Sequence, residues 1–234
     1  MSRRWLACWL AMLFLALLAF LPLRVALATS ELERIGFGAR QVAGTIWYGR
    51  IGDLQLRSRP LGTFEVAVDP ASLLLGSPSM RMNRLDGTEG PLEGIVRAGR
   101  QRGIARMNGR IAAQSLFSPL PIEALEFRDA TLLFRDGLCA EASGTVVPVL
   151  AAPVPGVDLG SGLMGRLRCN GRRARVVMRD PNGAGRLDLY VDSAGAYRAW
   201  MSVDAPSPEL SAVLVGLGFR HSSLGLTLSA RGRL

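Results

Sequence analysis

From residue 42 onward, apolar and polar residues alternate with a period of two, interrupted at short intervals by glycine, proline, asparagine or aspartate. Such alternation sends successive side chains to opposite faces of a strand. It predicts strands over 42–48, 51–57, 62–68, 79–85, 92–98, 103–113, 125–127, 130–135, 140–149, 186–191, 197–203 and 224–230, and a hairpin over 165–178. Asp136-Gly137 and Asn170-Gly171 are hairpin dipeptides, Pro148 to Pro155 reads as a proline-alanine loop, and Asp192 to Gly195 reads as a turn.

Two stretches depart from this period. Asp69-Pro70 stops a strand, and 70–76 reads as a short helical or loop insert. Over 206–218, Leu210, Val213, Leu214 and Leu217 recur at spacings of three and four, which predicts a short helix with Ser207 as N-cap and Gly216 and Gly218 at its end. The fold class is therefore mainly β: a curled antiparallel sheet, or an open barrel or sandwich, of many short strands with one late helix. Gly-x-apolar strand starts recur at Gly44, Gly144 and Gly165, which suggests two similar halves, about 42–135 and 136–234.

Residues 1–41 follow a different rule. Arg3 and Arg4 precede an uncharged apolar run over 5–23. Those ~19 residues would span roughly 28 Å as a helix, close to the hydrocarbon thickness of a bilayer. The leading arginines favour a cytoplasmic start, with the rest of the chain on the far side. Ala26-Leu27-Ala28 also fits a cleavable signal peptide, although the run exceeds the usual signal core and Arg24 sits between that core and the site. Either way the body of the protein is exported. The expected organisation is an anchor over 1–28, a polar connector over 29–41 and a β-rich domain over 42–234.

Composition adds little about function and excludes some of it. The formal charge is +9, and all 28 basic residues are arginine. A positive surface admits anionic partners. Nucleic acid is not among them, because the aromatics are few and are not interleaved with the arginines as a stacking platform requires. Two arginine-rich stretches stand out: Arg97, Arg100, Arg102, Arg106 and Arg110, and then Arg166, Arg168, Arg172, Arg173, Arg175 and Arg179. Within the second, Arg166, Arg168, Arg172, Arg173 and Arg175 form a candidate surface for anionic headgroups or an acidic partner. The alternative is the ordinary solvent face of half-buried strands, where arginine also guards an edge.

Cys8 lies in the apolar run, which leaves Cys139 and Cys169 as an even pair in an exported domain. They predict a disulfide, with two separate buried thiols as the alternative. Two thiols without a CxxC and a single histidine, His221, do not make a zinc site. No phosphate-binding loop, G-x-S-x-G or calcium loop is present in the sequence. The carboxylate pairs Glu31/Glu33 and Asp86/Glu89 sit where turns ordinarily attract acids. The expectation is a protein without catalytic, metal or cofactor residues, and an exported hydrolase is the remote alternative.

The stretch GTIWYG, Gly44 to Gly49, places two aromatics between glycines. In a strand, Trp47 and Tyr48 would face opposite sides, one ring in the core and one outside. Gly44-Thr45-Ile46-Trp47-Tyr48-Gly49-Arg50, shortly after a single apolar span, resembles the G-T-[LI]-W-x-G-x segment of the type II secretion system protein N family. The tail is similar too: Gly185-Arg186-Leu187-Asp188-Leu189, a turn before Tyr197, a short helix and a closing strand near Gly232. Cys139 and Cys169 resemble the paired cysteines of some members. Val146-Val147 replaces a second tryptophan common there.

The resemblance implies a non-catalytic accessory component of the type II secretion machinery. It would be single-pass in the inner membrane, face the periplasm and contact other secretion components. Gly44, Thr45, Trp47 and Gly49 carry over as motif positions only. The chain is also similar to the broader group of long curled sheets that includes AsmA-type proteins, which implies lipid handling as the alternative.

Overall fold

The computed structural model describes residues 5, 9–10, 12–13, 16, 20–28, 37–56, 59–86, 90–114, 116–150, 162–204, 207–223 and 225–233. The described residues are mainly β, in an antiparallel, unclosed arrangement with three short helices. They fall into two compact units, 1–91 and 92–234. Residues 1–4, 6–8, 11, 14–15 and 17–19 of the expected anchor, and 29–36 of the connector, lie outside the described residues. Trp5, Trp9, Leu10, Met12, Leu13 and Ala16 are helical, and no helix of the described residues is long and apolar enough to cross a membrane.

The first unit begins with α1 (Leu23–Ala28) and contains β1 (Phe37–Gly38), β2 (Gln41–Gly44), β3 (Gly49–Leu56), β4 (Arg59–Val68), α2 (Pro70–Leu74) and β5 (Ser79–Asp86). β1 and β2 line one edge of β3 end to end, β4 takes the other edge, and β5 pairs with β4. Asp69 caps α2 by accepting a hydrogen bond from the Ala71 amide at 3.1 Å, and Pro70 supplies the preset first-turn φ. Leu23, Ile46, Ile51, Phe64 and Val66 form its buried core. Arg84 is buried among them. Its guanidinium lies 5.4 Å from the centre of the Phe64 ring and donates to the Gly90 carbonyl.

The second unit contains β6 (Leu92–Arg97), β7 (Gln101–Ala112), β8 (Ile122–Arg135), β9 (Leu138–Leu150), β10 (Gly165–Asn170), β11 (Arg173–Arg179), β12 (Gly185–Asp192) and β13 (Ala196–Val203). α3 (Pro208–Gly216), β14 (Arg220–Ser222) and β15 (Gly225–Arg233) complete it. Each strand pairs with the next as far as β13; β15 then pairs with β13, and β14 lies outside β15. Asp136 and Gly137 both take positive φ, 51° and 78°, which is what a two-residue type I′ hairpin requires. The late helix forms as expected: the Ser207 hydroxyl accepts from the Leu210 amide, and Leu210 and Leu214 are buried.

One face of β10 to β15 is the core. Leu167, Val176, Met178, Leu187, Ala199, Met201, Val203, Leu226 and Leu228 are buried there, together with Phe117, Leu163, Leu214 and Phe219 from the connecting segments. The Tyr197 ring covers Gly232 and meets Phe117 edge-on at 4.8 Å, and its hydroxyl donates to the Leu116 carbonyl. A lipid-handling groove needs an unfilled apolar face. Among the described residues, the apolar face of β10 to β15 is covered by the protein's own side chains.

Three expectations are corrected. The strand expected over 42–48 stops at Gly44, and 46–48 bend. The segments 125–127 and 130–135 are one strand, β8, whose polar middle is a bulge at Asp129 (φ 50°). Pro148 lies inside β9 instead of beginning a loop. β10 pairs with β9 only at Thr145 and Val146, so the missing amide falls beyond that ladder.

Candidate functional site

The family-motif residues form a knot of backbone bonds in the first unit. The Thr45 amide donates to the Tyr48 carbonyl at 3.1 Å, closing the loop between β2 and β3. The Ile46 amide donates to the Leu21 carbonyl, and the Val68 amide donates to the Ile46 carbonyl. Residue 46 therefore joins the N-terminal segment to the end of β4. Gly44 has φ 88°, and a Cβ there would stand 2.6 Å from the Tyr48 carbonyl oxygen. A Cβ on Gly49 would meet Leu23 Cδ2 at 2.6 Å. Both glycines are needed for close approach.

The aromatics are not divided between core and solvent. Ile46 takes the buried place, Trp47 is half-buried and Tyr48 is 67% exposed. The Tyr48 hydroxyl donates to Glu65 Oε1 at 3.0 Å. That hydrogen bond, and then the charge of Glu65, raise its pKa above the ordinary phenolic value.

In the second unit, Cys139 of β9 and Cys169 of β10 are joined by a disulfide, with Cα atoms 5.5 Å apart. The bond ties the β8–β9 turn to the β10–β11 turn, where the Cys139 amide also donates to the Gly171 carbonyl.

The second arginine stretch is brought together on the face opposite the core. Arg166, Arg168, Arg173, Arg175 and Arg179 occupy the non-core positions of β10 and β11, and Arg172 lies in the turn. Register extends this face beyond the hairpin. Arg168 pairs with Arg175, Arg175 with Tyr190, Tyr190 with Arg198, and Arg198 with Arg231. One row across five strands thus carries four arginines and a tyrosine. Like charges directly opposite each other are destabilising in a ladder, and here that happens at Arg168/Arg175 and Arg198/Arg231. Arg186, Arg198 and Arg231 were invisible as members of the cluster because they lie on later strands. Their only sequence signal is their polar phase in alternating segments.

Asp188 is an acid within this face, as is Asp192 opposite Arg173. The Asp188 side chain, 15% exposed, accepts from Arg175 at 2.9 Å and from Arg186 at 2.5 Å. Burial opposes its charge, but the hydrogen bonds from Arg186 and Arg175 outweigh burial and hold its pKa below the ordinary carboxylate value. Tyr190 packs edge-on against Trp200 at 5.5 Å and receives the Arg175 guanidinium at 5.2 Å. Arg97 and Arg110 of the first stretch instead meet Gln101 and Glu123. His221 is exposed on β14.

The remaining exposed chemistry is apolar. Val213, Val215 and Leu217 face outward on and just after α3, and Leu73, Leu74 and Leu75 form an uncovered tip in the first unit. Among the described residues, no three His, Cys, Asp or Glu side chains are gathered as metal ligands. The described residues thus combine strand ladders, a cationic sheet face and exposed apolar side chains. Comparison gives the particular family. A sequence profile described as Type II secretion system (T2SS), protein N matches residues 36–228, so the chain belongs to the type II secretion system protein N family. No curated protein and no solved structure was found to match it.

Proposed function

We propose that this protein is a non-catalytic accessory component of the type II secretion machinery. Its N-terminal segment holds it in the inner membrane as a single span, its β-rich region over 42–234 lies in the periplasm, and it works by contacting other secretion components. Family membership over 36–228 is the observation that carries this reading. The Cys139–Cys169 disulfide supports an oxidising compartment. The uncovered apolar residues of α3 and α2 and the cationic face of β10 to β15 support a contact role.

The test is site-specific photo-crosslinking in intact cells from position 48, whose side chain is exposed beside the motif. The expected adduct is another component of the secretion machinery, identified by mass spectrometry. Adducts confined to lipid or to a second copy of this chain would count against the proposal.

A further inference from the structure

The outer edge of β15 is vacant along most of its length. β13 pairs with β15 from Leu226 to Arg233, whereas β14 reaches only Thr227. Ser222 and Gly225 close a two-residue loop, so Gly225 and Thr227 turn their amides and carbonyls toward β14. By alternation, Ser229, Arg231 and Arg233 turn theirs to the same side, where no described strand meets them. An open edge of this kind is a template for another strand.

A cleft of about 830 Å³ runs along this edge, walled by Pro119, Arg198, Trp200, Arg220, Ser229 and Arg231. No acidic side chain among the described residues lines it. Arg198 and Arg231 oppose each other across the ladder, and among the described residues neither they nor Arg220 form an ion pair. Trp200, 41% exposed, supplies an apolar wall. The cleft therefore combines unmet backbone groups in strand spacing, concentrated positive charge and a flat ring.

We propose that this edge takes up an extended acidic segment of another protein as an added strand. The inference rests on the contact role proposed above and names the chemistry of one partner. Added residues on the side of Ser229 and Arg231 would be acidic, reaching Arg198, Arg220 and Arg231. Those between them would be apolar, lying toward Pro119 and the buried Leu228 and Ala230. A bilayer surface fits less well, because headgroups present no row of peptide groups to an unpaired strand edge.

The experiment uses the full chain in detergent and a fluorescein-labelled peptide, Gly-Glu-Val-Glu-Val-Glu-Gly, with a lysine-for-glutamate version as control. Fluorescence anisotropy should show saturable binding of the acidic peptide alone. Charge reversal in the double variant Arg198→Glu/Arg231→Glu should weaken it roughly tenfold or more. Ser229→Pro, which removes an edge amide, should abolish it. Circular dichroism establishes that each variant is folded, and the charge variant carries the test if the proline variant is not.

Equal binding of the lysine peptide, indifference to the charge reversal, or no acidic-peptide binding by the folded chain would overturn the proposal. So would phosphatidylglycerol vesicles being the only ligand, which would give the face to a membrane, or self-association lost in Ser229→Pro, which would give the edge to a second copy. If the peptide fails while position 48 still crosslinks to a secretion component, the edge proposal falls and the contact role stands. If the peptide binds while position 48 captures only lipid, the reverse holds.

Discussion

At the residue scale, the GTIWYG stretch is a joint. Alternation through Thr45, Ile46, Trp47 and Tyr48 reads as a strand, yet the two glycines turn it into a loop. Gly44 requires a left-handed backbone, and its missing Cβ leaves room for the Tyr48 carbonyl. Gly44→Ala is expected to cost about 1–3 kcal/mol, read by urea denaturation followed through tryptophan fluorescence. Asp188 offers a titration. Its pKa is lowered in the folded protein, so its stabilising contribution is complete above about pH 4, the unfolded carboxylate value, and is lost as pH falls through the lower folded value. Asp188→Asn should therefore destabilise the protein at neutral pH by about 1–3 kcal/mol, since it frees two guanidinium groups from one carboxylate. It should also flatten the acid limb of a stability–pH curve; an unchanged acid limb would refute the assignment.

At the element scale, most of the architecture was legible. The hairpin at Asp136-Gly137, the late helix capped by Ser207, and the strands from 186 onward follow from local signals that agree with the tertiary fold. The misses share a cause. A bulge interrupts polarity without ending pairing, so Arg128-Asp129 looked like a break inside β8. Pro148 looked like a terminus, because the sequence does not reveal which edge of β9 is occupied at that point. The arginine face was half legible for the same reason: alternation gives the phase of each strand, and only register shows that Arg198 and Arg231 continue the row from Arg168 and Arg175. The Cys139–Cys169 link staples two adjacent turns and closes a sequence separation of 30 residues. Replacing both cysteines by alanine should lower stability by about 3–4 kcal/mol in the chain-entropy model. Thermal unfolding with and without reductant measures this, and the double variant should be insensitive to reductant.

At the scale of the whole molecule, clustered positive charge and the exposed leucines of α2 belong to different units. The net charge of +9 is concentrated in part on one sheet face of the second unit, whereas the first unit exposes leucines at 73–75 and holds the N-terminal segment through Ile46. Composition alone gave the positive sign and left its location open. The Ile46 joint has a mechanical meaning. A pull on the chain at Leu21 passes through the Leu21–Ile46 bond and then the Ile46–Val68 bond, so it reaches the end of β4 through the β2–β3 loop. Tension arriving from the N-terminal segment would thus reach β4 through these two bonds as well as along the chain through β2 and β3.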